Sequence, residues 1–189
     1  HKPYAIHNNR TMNKRKVIVF IACSADGYIA GKDDNLDFLS IVEASPEDYG
    51  YAAFVSTVDT VIMGRKTYDK VLSFGVPFPH QDRNCYVISS SRQGKDEHVT
   101  FWNDAPEKLI DQLQKQEGAS IFVDGGSTTI HALLKKGLID EFIISIIPHF
   151  LGSGIRLFAD DFPEQSLKLT DSKTFPSGLV QLWYQKRSS

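Results

Sequence analysis

Apolar and polar positions divide the chain into alternating strand and helix segments. Residues 16–22, KVIVFIA, form a continuous β-branched run, the pattern of a strand covered on both faces. In SPEDYGYAAFVSTV (45–58), Ser45 falls at an N-cap position, Pro46 at the first helical position and Asp48 at the capping-box position, so a helix is predicted to start there. TVIMG (60–64), NCYVIS (84–89) and HVTFW (98–102) read as strands. Asp104 and Pro106 open a helix with Leu109, Ile110 and Leu113 on one face. SIFVDGG (120–126) is a further buried strand, and from its Gly-Gly pair leaves the helix STTIHALLKKG, which Gly137 is placed to end.

The pattern changes in the last third. DEFIISIIP (140–148) is a strand, and SLKLTDSKTF and GLVQLWYQK face each other across Pro176-Ser177-Gly178 as an antiparallel hairpin. Val180, Leu182 and Tyr184 there alternate with Gln181, Trp183 and Gln185. Strand-helix alternation followed by a hairpin predicts one α/β domain: a central, mostly parallel sheet flanked by helices, with an antiparallel C-terminal hairpin. There is no repeat and no dividing linker. The domain is placed at residues 16–189. Residues 1–15 are read as a polar leader outside it: an upstream extension, a remnant of expression or a disordered tail.

Composition narrows the function classes. A chain of 189 residues suits one domain with a sizeable core, and a net charge of −2 gives no field to hold a polyanion. Lys14-Arg15-Lys16 is read as solvating the start of a strand, and no nucleic-acid partner is expected. No apolar run approaches the roughly 20 residues of a membrane helix, and HKPYAIHNNRT has no apolar signal core, so a soluble cytoplasmic protein without a membrane partner is expected. Cys23 and Cys85 lie among apolar strand residues, as small buried hydrophobes do, and two cysteines make neither a disulfide framework nor a zinc site. No metal is expected.

Open α/β sheets bind ligands at the carboxyl ends of their strands, and three strand ends are unusual. At Gly64-Arg65-Lys66-Thr67, a helix N-terminus, two cations and a hydroxyl would hold a phosphate; the alternative is a solvated turn. At Gly125-Gly126-Ser127-Thr128-Thr129, small residues let backbone approach a ligand, or simply make a tight capped turn. ISSSRQG (88–94) puts three hydroxyls and Arg92 after a strand, as a polar loop also would. Together the three suit an extended ligand with several phosphates.

These segments carry a resemblance to the dihydrofolate reductase superfamily, closest to the branch containing the reductase domain of riboflavin biosynthesis and its stand-alone relatives. IACSADGYIAG (21–31) resembles the family's first strand and the loop beside the nicotinamide. VIMGRKTYD resembles its phosphate turn, and VISSSR is similar to the segment meeting the adenosine 2′-phosphate. FVDGGSTTIHALLKKGLIDEFIISIIPHFLGSG (122–154) resembles the riboflavin-type branch; in all, the resemblance covers nearly all of 16–186. It implies NADPH as cofactor. Ala22 and Ile29 would flank the nicotinamide, Gly64, Arg65, Lys66 and Thr67 the phosphates, and Ser90, Ser91 and Arg92 the 2′-phosphate. Gly125, Gly126, Ser127 and Thr128 would lie against the pyrophosphate.

Asp48 and Asp124 are the candidate catalytic residues, expected to orient the substrate rather than donate a proton. Asp48 precedes Gly64 by 16 positions, a spacing similar to that of the substrate carboxylate in dihydrofolate reductases, though a capping role fits equally. Asp124 stands where typical dihydrofolate reductases are apolar; a residue satisfied by neighbouring backbone is the other reading. Ser145 faces the pocket or interrupts a buried strand, and His131 and His149 read as structural. NLDFL replaces the Pro-Trp beside the folate ring, and the arginine for a folate tail is not recognisable. The expected activity is hydride transfer from NADPH to a heterocyclic or ribosylamino-pyrimidine substrate, with dihydrofolate reductase and a non-catalytic nucleotide-binding module as alternatives. A homodimer through the hairpin or FIISII is expected.

Overall fold

The computed structural model describes residues 14–187. In chain order its strands are β1 (Val17–Ser24), β2 (Tyr28–Ala30), β3 (Val58–Gly64), β4 (Asn84–Ile88), β5 (Gly94–Lys95), β6 (Thr100–Trp102), β7 (Ser120–Gly125), β8 (Glu141–Ile147), β9 (Ile155–Arg156), β10 (Leu167–Thr174) and β11 (Val180–Lys186). The α-helices are α1 (Tyr51–Val55), α2 (Arg65–Ser73), α3 (Pro106–Gln114) and α4 (Ser127–Lys135). Nine strands form one sheet in the order β10-β11-β8-β1-β7-β3-β4-β6-β5, and β2 pairs separately with β9. The run β8-β1-β7-β3-β4-β6 is parallel, while β11 joins β8 antiparallel and carries β10 to the outer edge. The expected α/β architecture is therefore present, with every expected central strand in place.

Alternation along the buried strands assigns residues to the two faces of the sheet. Val17, Val19, Ile62, Ile121 and Val123 pack with Leu109, Ile110 and Leu113 of α3 and Ile130, Leu133 and Leu134 of α4. Ile18, Val61, Met63 and Phe122 point the other way, against Phe54 of α1 and Tyr68 of α2. Each fully buried side chain of this size contributes about 1.5–3 kcal/mol relative to exposure. A third cluster, Phe38, Val42, Ile147 and Leu179, closes the sheet near the ends of β1 and β8.

Two expectations are corrected. No helix starts at Ser45: Ala44 and Glu47 form a bridge, and Tyr49 and Gly50 both have left-handed φ (57° and 81°), which an α-helix cannot accommodate. The helix begins only at Tyr51, where Asp48 Oδ1 and Oδ2 accept the backbone N–H groups of Gly50 and Ala52, each at 3.0 Å. Arg15, assigned above to a solvated leader, is buried. Its guanidinium donates to the carbonyls of Ala119 (2.8 Å) and Leu113 (3.2 Å), to Asp59 Oδ1 (2.6 Å) and to the Thr60 hydroxyl (2.8 Å). The remainder of the expected leader, apart from Lys14, lies outside the described residues.

Candidate cofactor and substrate site

Two helix N-termini meet at the carboxyl edge of the sheet. Parallel pairing of β3 with β7 sets Met63 opposite Gly125, which places the turns after the two strands side by side. A Cβ built on Gly64 would lie 3.1 Å from Thr129 Oγ1 and 3.6 Å from the Gly126 nitrogen, and one on Gly126 would lie 3.5 Å from Thr67 Oγ1. The two glycines are the N-caps of α2 and α4, both in extended conformation, and neither helix start carries a side-chain cap or an acidic residue in its first turn. Their backbone N–H groups and dipoles are thus left for an anion. By contrast, α3 carries Glu107 in its first turn.

A third strand end adds positive charge. Pairing of β4 with β3 sets Ile88 opposite Gly64. The buried Ser89 hydroxyl then accepts the N–H groups of Ser91 (3.3 Å) and Arg92 (3.0 Å), shaping a turn on which Ser90 and Ser91 are exposed. Arg92 grips Asp69 with both terminal nitrogens, at 2.8 and 3.1 Å, and Arg65 reaches the same carboxylate at 3.4 Å. The Arg92 bond, with the charges of Arg92 and Arg65, holds the Asp69 carboxyl below its usual range. Asp69 was not anticipated, although its i,i+4 spacing from Arg65 is a readable signal. Lys66 is exposed and has no ion-pair partner among the described residues.

The loop after β1 is fastened to the one after β8. Asp26 accepts the Ser24 hydroxyl (2.5 Å) and the N–H groups of Leu151 (3.1 Å) and Gly152 (2.8 Å). The Ser24 bond, followed by those two amides, lowers the Asp26 carboxyl to about 2. Of the two residues expected beside the nicotinamide, Ala22 packs on the Phe38 cluster and Ile29 on the α3/α4 face of the core. Open grooves of about 520 and 700 Å3 flank the segment 31–43; the larger lies between Leu36, Leu39, Lys70 and Phe74.

The two candidate carboxylates are differently placed. Asp48 is exposed, with both oxygens engaged by backbone as described. Asp124, at the end of β7, keeps 25% of its side chain exposed and accepts no hydrogen bond among the described residues. Burial, followed by the Asp124 charge, pushes the Tyr51 hydroxyl and the Cys85 thiol up to about 12. His80 Nε2 lies 3.6 Å from Asp124 Oδ2, a neighbour that nothing in the loop PFPHQDRN foretold. Ser145 is buried and takes its hydrogen bond from Gln181 Nε2 (3.2 Å), which also bonds the Tyr49 carbonyl.

Residues 15–181 match the family described as RibD C-terminal domain. The uncharacterized protein YwjB of Bacillus subtilis is 42% identical over 172 residues, covering 90% of this chain and 98% of that protein. A Shewanella sp. PV-4 crystal structure named for riboflavin biosynthesis superposes with a TM-score of 0.83 at 34% identity, covering 92% of this chain and 99% of that one. Enterococcus faecalis dihydrofolate reductase, solved with NADP(H) and RAB-propyl, shares the fold with a TM-score of 0.66 at 16% identity, over 92% and 97% of the two chains.

Proposed function

The chain belongs to the RibD C-terminal domain family, and we propose that it is an NADPH-dependent reductase. It would transfer hydride to a C=N or C=O bond of a heterocyclic or ribosylamino-pyrimidine substrate. One observation carries the reading: the N-termini of α2 and α4, uncapped and free of acids, lie in contact beside the Arg65–Asp69–Arg92 cluster.

The residues present fit such a cofactor. Glycine at both N-caps lets the two turns approach each other closely, so that one pyrophosphate could meet backbone N–H groups of both, with Thr67, Ser127 and Thr128 as hydroxyl donors. The arginine pair, with Ser90 and Ser91, suits the 2′-phosphate that distinguishes NADPH from NADH. NADPH would supply the hydride; the protein's part is to orient the two reactants and exclude water.

Asp124 is the better placed carboxylate to orient a substrate: it accepts no hydrogen bond among the described residues, whereas both oxygens of Asp48 already serve the start of α1. As a hydrogen-bond acceptor it suits a substrate edge that offers N–H groups, as aminopyrimidines do. At the outer edge of the sheet, β10 leaves Leu169 52% exposed, and we propose that a homodimer contact forms there.

The test is NADPH oxidation by the purified protein, with 5-amino-6-(5-phosphoribosylamino)uracil and dihydrofolate supplied in parallel. Turnover of the pyrimidine alone supports the reading. Turnover of dihydrofolate alone replaces the substrate class, and NADPH binding without oxidation of either points to a nucleotide-binding module.

A further inference from the structure

His80 comes from the loop between α2 and β4 and is 1% exposed, yet neither of its ring nitrogens has a hydrogen-bond partner among the described residues. Its ring stands nearly perpendicular to Phe78 and Phe122, with centroids at 6.0 and 6.1 Å. Its backbone carbonyl accepts the Cys85 thiol at 3.6 Å. A buried imidazole with no partner is costly and rare in native proteins.

The charged group facing it is Asp124, whose Oδ2 lies 3.6 Å from Nε2. That carboxylate is itself without a hydrogen bond among the described residues. The other titratable groups that feel its charge are Tyr51, from α1, and Cys85, from β4. The nearby cation Arg83 is occupied, donating from Nε and a terminal nitrogen to the Val55 carbonyl at 3.1 and 3.0 Å. A buried imidazole without a partner therefore faces a partly exposed carboxylate with acceptor capacity to spare, just beyond bonding range, and a movement of about half an ångström would join them.

We propose that His80 is a positioning residue for Asp124. Its Nε2–H closes onto Oδ2, fixing the carboxylate so that the remaining oxygen accepts an N–H or amino group of a nitrogen heterocycle. A carboxylate held this way selects ligands that present donors and rejects those that present only acceptors, because the latter leave it desolvated and unpaired. The substrate class in this inference rests on the proposed reductase function; the His80–Asp124 contact does not.

The experiment has two parts. In protein labelled with 15N-histidine, the His80 imidazole signals are assigned by their absence in His80→Phe. They are then followed in Asp124→Asn and, in the wild type carrying NADPH, during titration with 5-amino-6-(5-phosphoribosylamino)uracil. A protonated Nε2 whose signal moves both in Asp124→Asn and on addition of the pyrimidine is expected. His80 signals indifferent to Asp124→Asn would overturn the proposal. In steady-state assays, His80→Phe should raise KM for the pyrimidine at least about tenfold, the size of one lost charge-assisted bond. The Kd for NADPH should not change, and His80→Gln, which keeps an N–H donor, should recover part of the loss. A wild-type KM in His80→Phe, or parallel losses of pyrimidine and NADPH affinity, would reduce His80 to packing. If the wild-type protein turns over no pyrimidine, the proposed substrate class fails, while the coupling of His80 to Asp124 is still decided by the spectra.

Discussion

Arg15 offers a quantitative test of the fold that carries the site. Its guanidinium joins the start of β1 to Asp59 and Thr60 of β3 and to the Leu113 and Ala119 carbonyls on either side of the turn into β7. Replacing it with methionine keeps much of the apolar stem and removes every one of those bonds. The cost is less than the sum of its parts. Asp59 is 43% exposed, keeps bonds to the Ala119 N–H and the Thr60 hydroxyl, and can rehydrate. Leu113 keeps the N–H of Gln116. The buried part of the network, at the Leu113 carbonyl and the Thr60 hydroxyl, bears most of the loss, and Arg15→Met should destabilise by about 3 kcal/mol, the low end for breaking a buried pair.

Gly118 supplies the control. A Cβ there would lie 2.6 Å from Arg15 Cζ and 2.8 Å from its Nη2, and Gly118 is not one of the left-handed glycines, so its backbone tolerates alanine. Gly118→Ala should cost about 2 kcal/mol by displacing the guanidinium. In the Arg15→Met background the same change should cost under about 0.5 kcal/mol, because the flexible thioether can move aside. Urea unfolding of the four proteins measures the cycle. Additive effects, or a Gly118→Ala protein as stable as the wild type, would show that the guanidinium does not brace these strands.

Further outcomes follow from the same contacts. Arg92→Leu should weaken NADPH roughly tenfold or more while leaving NADH unchanged, since only the former carries the extra phosphate; equal losses in a calorimetric titration would remove Arg92 from that subsite. Both thiols should resist alkylation in the native protein at neutral pH, because burial, above all, lifts Cys23 to about 11 and Cys85 to about 12. Since both values are raised in the folded state, their contribution to stability holds below the ordinary value of 9.0 and is lost as pH rises above it. Asp26 has the opposite sign. Lowered from 3.8 to about 2, it stabilises fully above its ordinary value and loses that contribution as pH falls through this window, so Asp26→Asn should flatten the acid limb of the stability curve. Light scattering should return a dimer mass that falls to a monomer mass in Leu169→Lys.

Much of this architecture is legible in the sequence. Continuous β-branched runs such as VIVFIA can be satisfied only by burial on both faces, and glycines closing β3 and β7 mark where helices leave the sheet. What local pattern misses depends on distant partners. Arg15 looks solvated because its partners lie 44 to 104 positions away. The start at Ser45 is locally favourable, but the left-handed turn at Tyr49 and Gly50 takes the chain out of helical geometry. The same limit applies to the site: Gly-Arg-Lys-Thr and Gly-Gly-Ser-Thr are readable as anion turns, but their contact follows from the β3–β7 register. His80 sits in a loop that reads as surface and becomes notable only once Asp124 is beside it.

If the paired helix ends hold NADPH for hydride transfer to a pyrimidine, reduced-nicotinamide absorbance should fall when the protein, NADPH and 5-amino-6-(5-phosphoribosylamino)uracil are combined. The same mixture with Asp124→Asn is the comparison, and that variant should lose most of its turnover with NADPH binding intact. No oxidation by a protein that binds NADPH, or undiminished turnover in Asp124→Asn, would remove NADPH-dependent pyrimidine reduction at this site.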